Sequence, residues 1–278
     1  MLPRALHVIN LARAGERLDA VLCSFDRHLA ASGIALDRFA AIDAAEAERC
    51  NARGALAWAE KACFLSHAAS LAAAAVADAG RPAWIVEDDV VFGPQTLARV
   101  EAALELLQGQ PWDVLLTDLY VTDVNDMLEL FRTQSRLAVE GKIAVLDLAG
   151  MAFAGATSYL VNPAKVAELA ARLAQYEVID LAIDIWFKRE AGANRLRCHA
   201  LFPFATTVAD TPSQVQPSSL SRQLDWWNAY RMLLWEQTDP AHLDGILDRL
   251  DQVLTDKRSA QLGRILGGIL SEDSPRSS

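Results

Sequence analysis

Three consecutive carboxylates, Glu87, Asp88 and Asp89, are the residues of this chain best suited to chemistry. They follow the apolar run of residues 84–86 and precede a second apolar run, residues 90–92. An unpaired buried carboxylate is costly, so the cluster is expected where a strand leaves the core. Open α/β sheets bind ligands at that end of a strand, and carboxylate oxygens suit Mg²⁺ or Mn²⁺, which often bridge phosphates. The sequence therefore predicts a divalent-cation site, with an acidic turn in water as the alternative.

The elements that must position these carboxylates alternate along the chain. Apolar runs predict strands, and amphipathic or alanine-rich stretches predict helices. The first strand, helix and second strand form a unit whose crossover predicts a parallel pair. The whole alternation indicates an α/β protein with a three-layer α/β/α domain. The predicted strands are residues 5–11, 36–42, 84–86, 114–116, 143–148 and 157–161, and the predicted helices are residues 16–31, 44–49, 59–79, 94–107 and 162–174.

The composition changes in the last quarter of the chain. A stretch rich in Ser, Pro and Gln is followed by two amphipathic helical patterns. We therefore predict a main domain at residues 1–210, a helical C-terminal extension at residues 211–270 and a disordered tail at residues 271–278. The two helices could pack on the main domain, form a homodimer or contact a membrane. Their acidic polar faces make the membrane the least favoured of these partners.

Charge and cysteine usage exclude several classes of protein. The formal net charge of −10 and the lack of a basic block argue against nucleic-acid binding. The four cysteines form no Cys-x-x-Cys pair, so their spacing predicts neither a zinc site nor a redox motif. No apolar stretch reaches the roughly 18 residues of a membrane span, and Asn10 and Arg13 interrupt any signal-peptide core. We expect a cytoplasmic protein, with at most peripheral association at the inner face of the inner membrane.

A polar group precedes the acid cluster on the predicted helix 59–79. Cys63 and His67 are four residues apart and share a helix face, and Ser66 is adjacent. A Cys–His nucleophile is conceivable, but no third group that would orient the histidine is evident. Ser66 and His67 could instead contact a diphosphate or hold the acid cluster, or His67 could be a structural histidine. Asp43, after the second strand, could bond a ribose hydroxyl or cap the next helix.

Three motifs in this order resemble glycosyltransferase family 25, the bacterial lipopolysaccharide and lipooligosaccharide glycosyltransferases. They are Asn10-Leu11 through Arg17, the string EKACFLSH at residues 60–67, and VEDDV at residues 86–90. The segments at residues 155–161 and 178–181 also resemble the family, and the likeness covers residues 5–207. Two departures are Val178, where proline is usual, and the residues after Pro203, where the family tends to carry glutamine. The C-terminal quarter has no counterpart in the family.

The resemblance implies a GT-A type fold, a UDP-sugar donor carrying galactose or glucose, and Mn²⁺ or Mg²⁺. It implies a glycan or glycolipid acceptor, in lipopolysaccharide or another cell-surface glycan. Asp89 would be the direct metal ligand, with Glu87 or Asp88 in support, and Asp88 could instead bond ribose or sugar hydroxyls. Asp180 matches the family position of the catalytic base, and we predict Asp184, one helical turn later on the same face, as the second choice.

The loop and first helical turn after the first strand hold further candidates. Arg13 and Arg17 could reach uracil or phosphate, since guanidinium groups and helix N-termini both favour anions, or they could simply face solvent. Asn10 could bond the nucleotide base of the donor, and Asp118 is a weaker candidate for sugar binding. Acceptor specificity is expected in a loop at residues 119–142. The alternatives are a nucleotidyltransferase, for which a glycine-rich phosphate loop is missing near the N-terminus, and a non-catalytic sugar-nucleotide-binding relative.

Overall fold

The computed structural model describes residues 1–209 and 230–235. Strands and helices alternate through the first of these ranges. The strands are β1 (Ala5–Asn10), β2 (Ala35–Ala40), β3 (Ala83–Glu87), β4 (Val90–Phe92), β5 (Val114–Leu116), β6 (Tyr120–Val121), β7 (Ala144–Asp147), β8 (Phe153–Ala154), β9 (Ser158–Val161), β10 (Cys198–Phe202) and β11 (Thr206–Val208). The helices are α1 (Gly15–His28), α2 (Ala44–Arg49), α3 (Trp58–Ala77), α4 (Thr96–Leu106), α5 (Val124–Glu140), α6 (Val166–Ala174) and α7 (Ile183–Gly192), with a 3₁₀ turn at Ala30–Ser32.

The central sheet has seven strands in the order β2-β1-β3-β9-β5-β10-β7. The pairs β1–β2, β1–β3 and β5–β10 are parallel, whereas β9 and β7 run antiparallel to their neighbours. The parallel pair predicted for the first two strands is confirmed. Because β1, β2 and β3 point the same way, the residues that follow them meet at one edge of the sheet. Ile9 lies opposite Glu87 in the register of β1 and β3, so Asn10 reaches that edge beside the acid cluster.

Helices cover both faces of this sheet, as the three-layer prediction requires. The side chains of a strand alternate between the faces, and β3 shows this directly: Trp84 and Val86 pack with α1 and α4, while Ile85 packs with α3 and α6. All three of these residues are fully buried. A strand covered on both sides needs a continuous apolar run, which explains why residues 84–86 contain no polar residue before the carboxylates begin.

Several predicted boundaries and one predicted loop differ from the structure. The segment 119–142, expected to be an acceptor loop, contains the 17-residue helix α5. This helix forms because Met127, Leu130 and Leu137 recur at helical spacing and are buried in the core. The helix predicted from residue 162 begins at Val166, because residues 162–165 form a turn in which Asn162 Oδ1 accepts a hydrogen bond from Ala164 N at 3.0 Å.

Most of the predicted C-terminal extension and the whole predicted tail lie outside the described residues. The described part, residues 230–235, packs into the main domain, with Tyr230, Arg231 and Leu234 all buried. Leu234 O accepts a hydrogen bond from Phe204 N at 2.9 Å, and Gln134 Nε2 donates to Leu233 O at 2.8 Å. Of the three predicted placements for this region, packing on the main domain therefore holds for residues 230–235. Among the helices of residues 1–209 and 230–235, none combines the length and apolarity needed to cross a bilayer.

Candidate active site

The acid cluster lies in a tight turn that is held at both ends. Glu87 is the last residue of β3, and Asp88 and Asp89 form the turn into β4. Glu87 N donates to Thr157 O at 2.8 Å, and Asp89 O accepts from Ala209 N at 2.8 Å. The strand β4 then pairs antiparallel with β11. The predicted position of the cluster, at the carboxyl end of a buried strand, is therefore what the structure shows.

One arginine of α1 contacts two carboxylates of the cluster. Arg17 Nε lies 2.7 Å from Asp88 Oδ1, and Arg17 Nη2 lies 2.9 Å from Asp89 Oδ2. Asp88 Oδ2 also accepts a hydrogen bond from Asn10 Nδ2 at 2.8 Å. Asn10 is buried, and its Oδ1 accepts from Arg38 Nε at 2.9 Å. Arg17 thus contacts the acid cluster directly, and the Asn10 amide orients Asp88.

The negative charges of the cluster are only partly balanced by nearby positive charges. Burial, with the charges of Glu87 and Asp88, raises the pKa of Asp89 to about 7 against the opposing charges of Arg17 and Arg231. Burial also raises the pKa of Asp88, although Arg17 and Asn10 oppose it. Asp89 Oδ1 is buried and has no hydrogen-bond partner among the described residues. A carboxylate oxygen of this kind is ready to accept a proton or a cation.

His67 holds the third carboxylate. Its Nε2 lies 3.1 Å from Glu87 Oε1, and its Nδ1 lies 3.0 Å from the hydroxyl of Tyr159. Burial by itself would raise the pKa of Glu87, but the hydrogen bond and charge of His67, with Arg17 and Arg231, bring it below its ordinary value. Of the roles predicted for His67, holding the acid cluster is the one that this geometry supports. Tyr159, at the centre of β9, was not predicted as part of the site, since its partner is 92 residues away in the chain.

A cleft of about 670 Å³, counting space open to solvent, lies between these groups, the loop after β2 and the first turns of α3. The predicted residues Arg13, Arg17, Asp43, Ser66 and His67 line it together with the three carboxylates. Arg13 is exposed. Asp43 Oδ1 accepts from Glu46 N at 2.8 Å, so the predicted helix cap is present. Ser66 Oγ donates to Ala62 O at 2.7 Å and accepts from Ile42 N at 2.9 Å, which ties the loop after β2 to α3.

The Cys–His nucleophile, considered from the sequence only as conceivable, does not fit this cleft. Burial and the charges of Glu87, Asp184 and Asp89 raise the pKa of the Cys63 thiol well above its ordinary value. A nucleophilic cysteine needs the thiolate and therefore a lowered pKa. Cys63 is thus held as a neutral thiol, and nucleophilic catalysis by this residue is not supported.

Comparison with known families decides the class of protein to which this site belongs. A sequence model of glycosyltransferase family 25 (LPS biosynthesis protein) matches residues 4–186, about two thirds of the chain. The chain belongs to glycosyltransferase family 25. The predicted family and the predicted enzyme class, a glycosyltransferase, are confirmed. No curated protein matches the chain. Family 25 implies a nucleotide-sugar donor and a GT-A-like fold, and the mixed sheet with helices on both faces agrees with that fold.

The two predicted base residues of this family 25 protein differ in position. Asp180 lies before α7, which begins at Ile183, so the prediction that both residues share one helix face is wrong. Asp180 is exposed, and its Oδ1 accepts from Ala55 N at 2.7 Å. Asp184 is in the first turn of α7, where its Oδ2 accepts from Gly155 N at 2.8 Å and its charge acts on Cys63 in the cleft. Neither carboxylate lines the cleft itself, but the charge of Asp184 acts on a group that does.

A buried ion pair lies behind the acid cluster and involves a residue beyond the family 25 match. Asp118, two residues after β5, is fully buried, as is Arg231, and the Asp118 carboxylate bonds Arg231 Nη2. Asp118 Oδ2 also accepts from Thr206 Oγ1 at 2.8 Å, and the Arg231 guanidinium lies 4.5 Å from the ring centre of Tyr120. Asp118 was predicted as a weak sugar-binding candidate, but it is enclosed by these partners. No sequence signal marked Arg231, which lies within the first of the two amphipathic helical patterns.

Proposed function

We propose that this family 25 glycosyltransferase moves a hexose, galactose or glucose, from a UDP-sugar to a glycan or glycolipid acceptor. The acceptor would belong to lipopolysaccharide or another cell-surface glycan, and the reaction would take place in the cytoplasm, at the inner face of the inner membrane. One observation carries the proposal. Three carboxylates at the carboxyl end of β3 line a cleft together with two arginines, Arg13 and Arg17, which is the combination of charges that a cation-bound diphosphate requires.

The acid cluster fits the divalent cation that the proposal requires. Asp89 offers a buried oxygen without a hydrogen-bond partner among the described residues. Its raised pKa shows that nearby cations do not fully balance its charge. Asp89, with Glu87 or Asp88 in support, would hold Mn²⁺ or Mg²⁺, because hard cations prefer such oxygen ligands. Such an ion acts as a Lewis acid that stabilises negative charge on a departing diphosphate.

The remaining cleft residues would bind the donor and orient it. Arg17 pairs with Asp88 and Asp89 in the free protein, and we propose that it bonds donor phosphate oxygens when a bound cation balances those carboxylates instead. Arg13, exposed at the rim, would meet phosphate or uracil. Asp43 caps α2 through Oδ1 and would bond a ribose hydroxyl from the same position. Ser66 would keep the loop after β2 attached to α3 at the wall of the cleft, and Asn10 would keep Asp88 in its orientation.

An inverting transfer also needs a carboxylate that takes the proton of the acceptor hydroxyl. We propose Asp184 for this role, with Asp180 as the second choice. Asp184 is half-buried and acts electrostatically on the cleft-lining Cys63, whereas Asp180 is exposed. The hydrogen bond from Gly155 N would keep the Asp184 carboxylate in a defined orientation.

Release of UDP from UDP-sugars in the presence of Mn²⁺ tests the proposal. UDP-galactose and UDP-glucose should raise the melting temperature in a cation-dependent manner, and at least one should be hydrolysed slowly without an acceptor. Asp89→Asn should abolish this turnover, while the matched control Asp19→Asn, on the exposed side of α1, should not. Full activity of Asp89→Asn would show that the cation assignment is wrong, and binding of UDP without any turnover would refute the enzymatic role of the site.

A further inference from the structure

Three side chains of different ligand type converge on the wall of the cleft. Cys63 Sγ, a ring nitrogen of His67 and a carboxylate oxygen of Glu87 all lie within 4.8 Å of one another. Cys63 and His67 are one turn apart on α3 and point the same way, and Glu87 approaches them from the end of β3. The spacing of the cysteines in the sequence could not reveal this group, because its third member, Glu87, comes from a neighbouring strand.

Two of the three ligand atoms already lie at a spacing close to that of a small tetrahedral cation site. Bonds of about 2.0–2.3 Å to nitrogen, oxygen and sulfur place the ligand atoms of a tetrahedral zinc site about 3.3–3.6 Å from each other. His67 Nε2 and Glu87 Oε1 are already 3.1 Å apart, so this edge of the tetrahedron needs only a slight opening. Cys63 Sγ lies within 4.8 Å of the ligand atoms that His67 and Glu87 offer, so the sulfur completes the set by moving toward the other two.

The surroundings of the three groups also fit a cation. The hydroxyl of Tyr159 lies 3.0 Å from His67 Nδ1 and orients the ring, and metal-bound histidines usually have such a partner. Because a hydroxyl both donates and accepts, it can hold either tautomer, including the one that leaves the Nε2 lone pair free. All three ligand residues line the cleft, which supplies an entry path. The charges of Glu87, Asp184 and Asp89 act on Cys63 and make the position electronegative.

We propose that Cys63, His67 and Glu87 form a binding site for a thiophilic divalent cation such as Zn²⁺, and that a cation held there inhibits sugar transfer. A set of one sulfur, one nitrogen and one oxygen ligand favours zinc over Mg²⁺ or Mn²⁺, which prefer oxygen. On binding, the Cys63 thiol releases its proton to solvent and the thiolate becomes the ligand. Inhibition follows because Glu87 is withdrawn from the acid cluster and a second positive charge is placed beside Asp89. The inhibition, though not the binding, rests on the proposed function.

Cobalt substitution tests the binding directly and without any donor sugar. Titration of the metal-free full-length protein with Co²⁺ should give a saturable thiolate-to-cobalt charge-transfer band at one equivalent, which Zn²⁺ removes and excess Mg²⁺ does not. Cys63→Ser should lose the band. The matched control Cys50→Ser, an exposed thiol outside the cleft, should keep it. Thermal unfolding establishes that both variants are folded. Absence of the band in the wild-type protein, or its persistence in Cys63→Ser, would overturn the site.

Inhibition is measured separately, as UDP release with Mn²⁺ present and increasing Zn²⁺. The Zn²⁺ concentration for half inhibition should rise at least tenfold in Cys63→Ser relative to the wild type, each referred to its own zinc-free rate. A cobalt band combined with equal zinc sensitivity of the two proteins would refute the inhibitory role. If no UDP is released under any condition, the proposed function fails, whereas the cobalt titration still decides whether the cation site exists.

Discussion

Replacing Arg231 by methionine should destabilise the protein through the carboxylate that it leaves behind. Arg231 and Asp118 are both fully buried, and Arg231 Nη2 bonds Asp118 directly. Methionine fills much of the volume of arginine without its charge. Asp118 would keep only its hydrogen bond from Thr206 among the bonds described for its side chain. The variant therefore isolates the cost of an uncompensated buried charge.

The size of the effect follows from burial. Removing one partner of a buried ion pair costs about 3–5 kcal/mol, and for a domain of this size each kcal/mol lowers the melting temperature by about 2–4 °C. We therefore expect a loss of roughly 10 °C. The matched control Arg132→Met breaks a pair with Glu129 in which both side chains are about 70% exposed, and it should change stability by less than about 1 kcal/mol.

Urea unfolding of the single and double variants supplies the measurement. Asp118→Asn combined with Arg231→Met removes the unpaired charge, so the double variant should be more stable than Arg231→Met alone. Burial already raises the pKa of Asp118, and loss of Arg231 should raise it further. A raised pKa means that the folded state takes up the proton more readily than the unfolded state, so the deficit of Arg231→Met should shrink as the pH is lowered. A loss below about 1 kcal/mol, or a double variant as unstable as the sum of its parts, would refute the buried pair.

Three further predictions concern single side chains. In the cation-free protein, Asp89→Asn should raise the unfolding free energy at pH 8 by up to about 4 kcal/mol, because the folded pKa of Asp89, about 7, exceeds the ordinary value of 3.8. This gain should disappear near pH 4, where Asp89 is protonated in the folded state. Urea unfolding of both proteins across pH measures it. Glu190→Gln should lower the unfolding free energy at pH 7 by about 2 kcal/mol, because hydrogen bonds from Arg195 and Arg189 lower the Glu190 pKa to about 2 and solvent screens these exposed arginines. In the wild type this contribution should be lost as the pH falls from about 4.5 to about 2. A difference between the two proteins that does not depend on pH would contradict the prediction. Tyr159→Phe should lower stability by about 1 kcal/mol through the lost contact with His67 Nδ1, and unchanged unfolding would show that the hydroxyl is not a partner of the histidine.

Local sequence patterns were sufficient to predict the strands around the site and the position of its carboxylates. The runs that became β1, β3 and β5 are short and mostly apolar because those strands are covered on both faces, and β3 ends at the first of the three carboxylates. The helix α2 was predicted with its bounds, and its cap Asp43 as one of two roles, because a cap interacts only with the next few residues. These features depend on neighbours in sequence, and the sequence therefore contains the information directly.

Long-range contacts are what only the tertiary structure decided. The strand β9 lies antiparallel between β3 and β5, and it places Tyr159 against His67 across 92 residues of chain. Arg231 reaches Asp118 across 113 residues, and Asp180 is bound to Ala55 N across 125 residues and not on a helix with Asp184. Such pairs form because packing of whole elements brings distant side chains together. Residue spacing thus determined the strand end that carries the acids, whereas the folded chain decided which positively charged side chains and hydrogen-bond donors surround them.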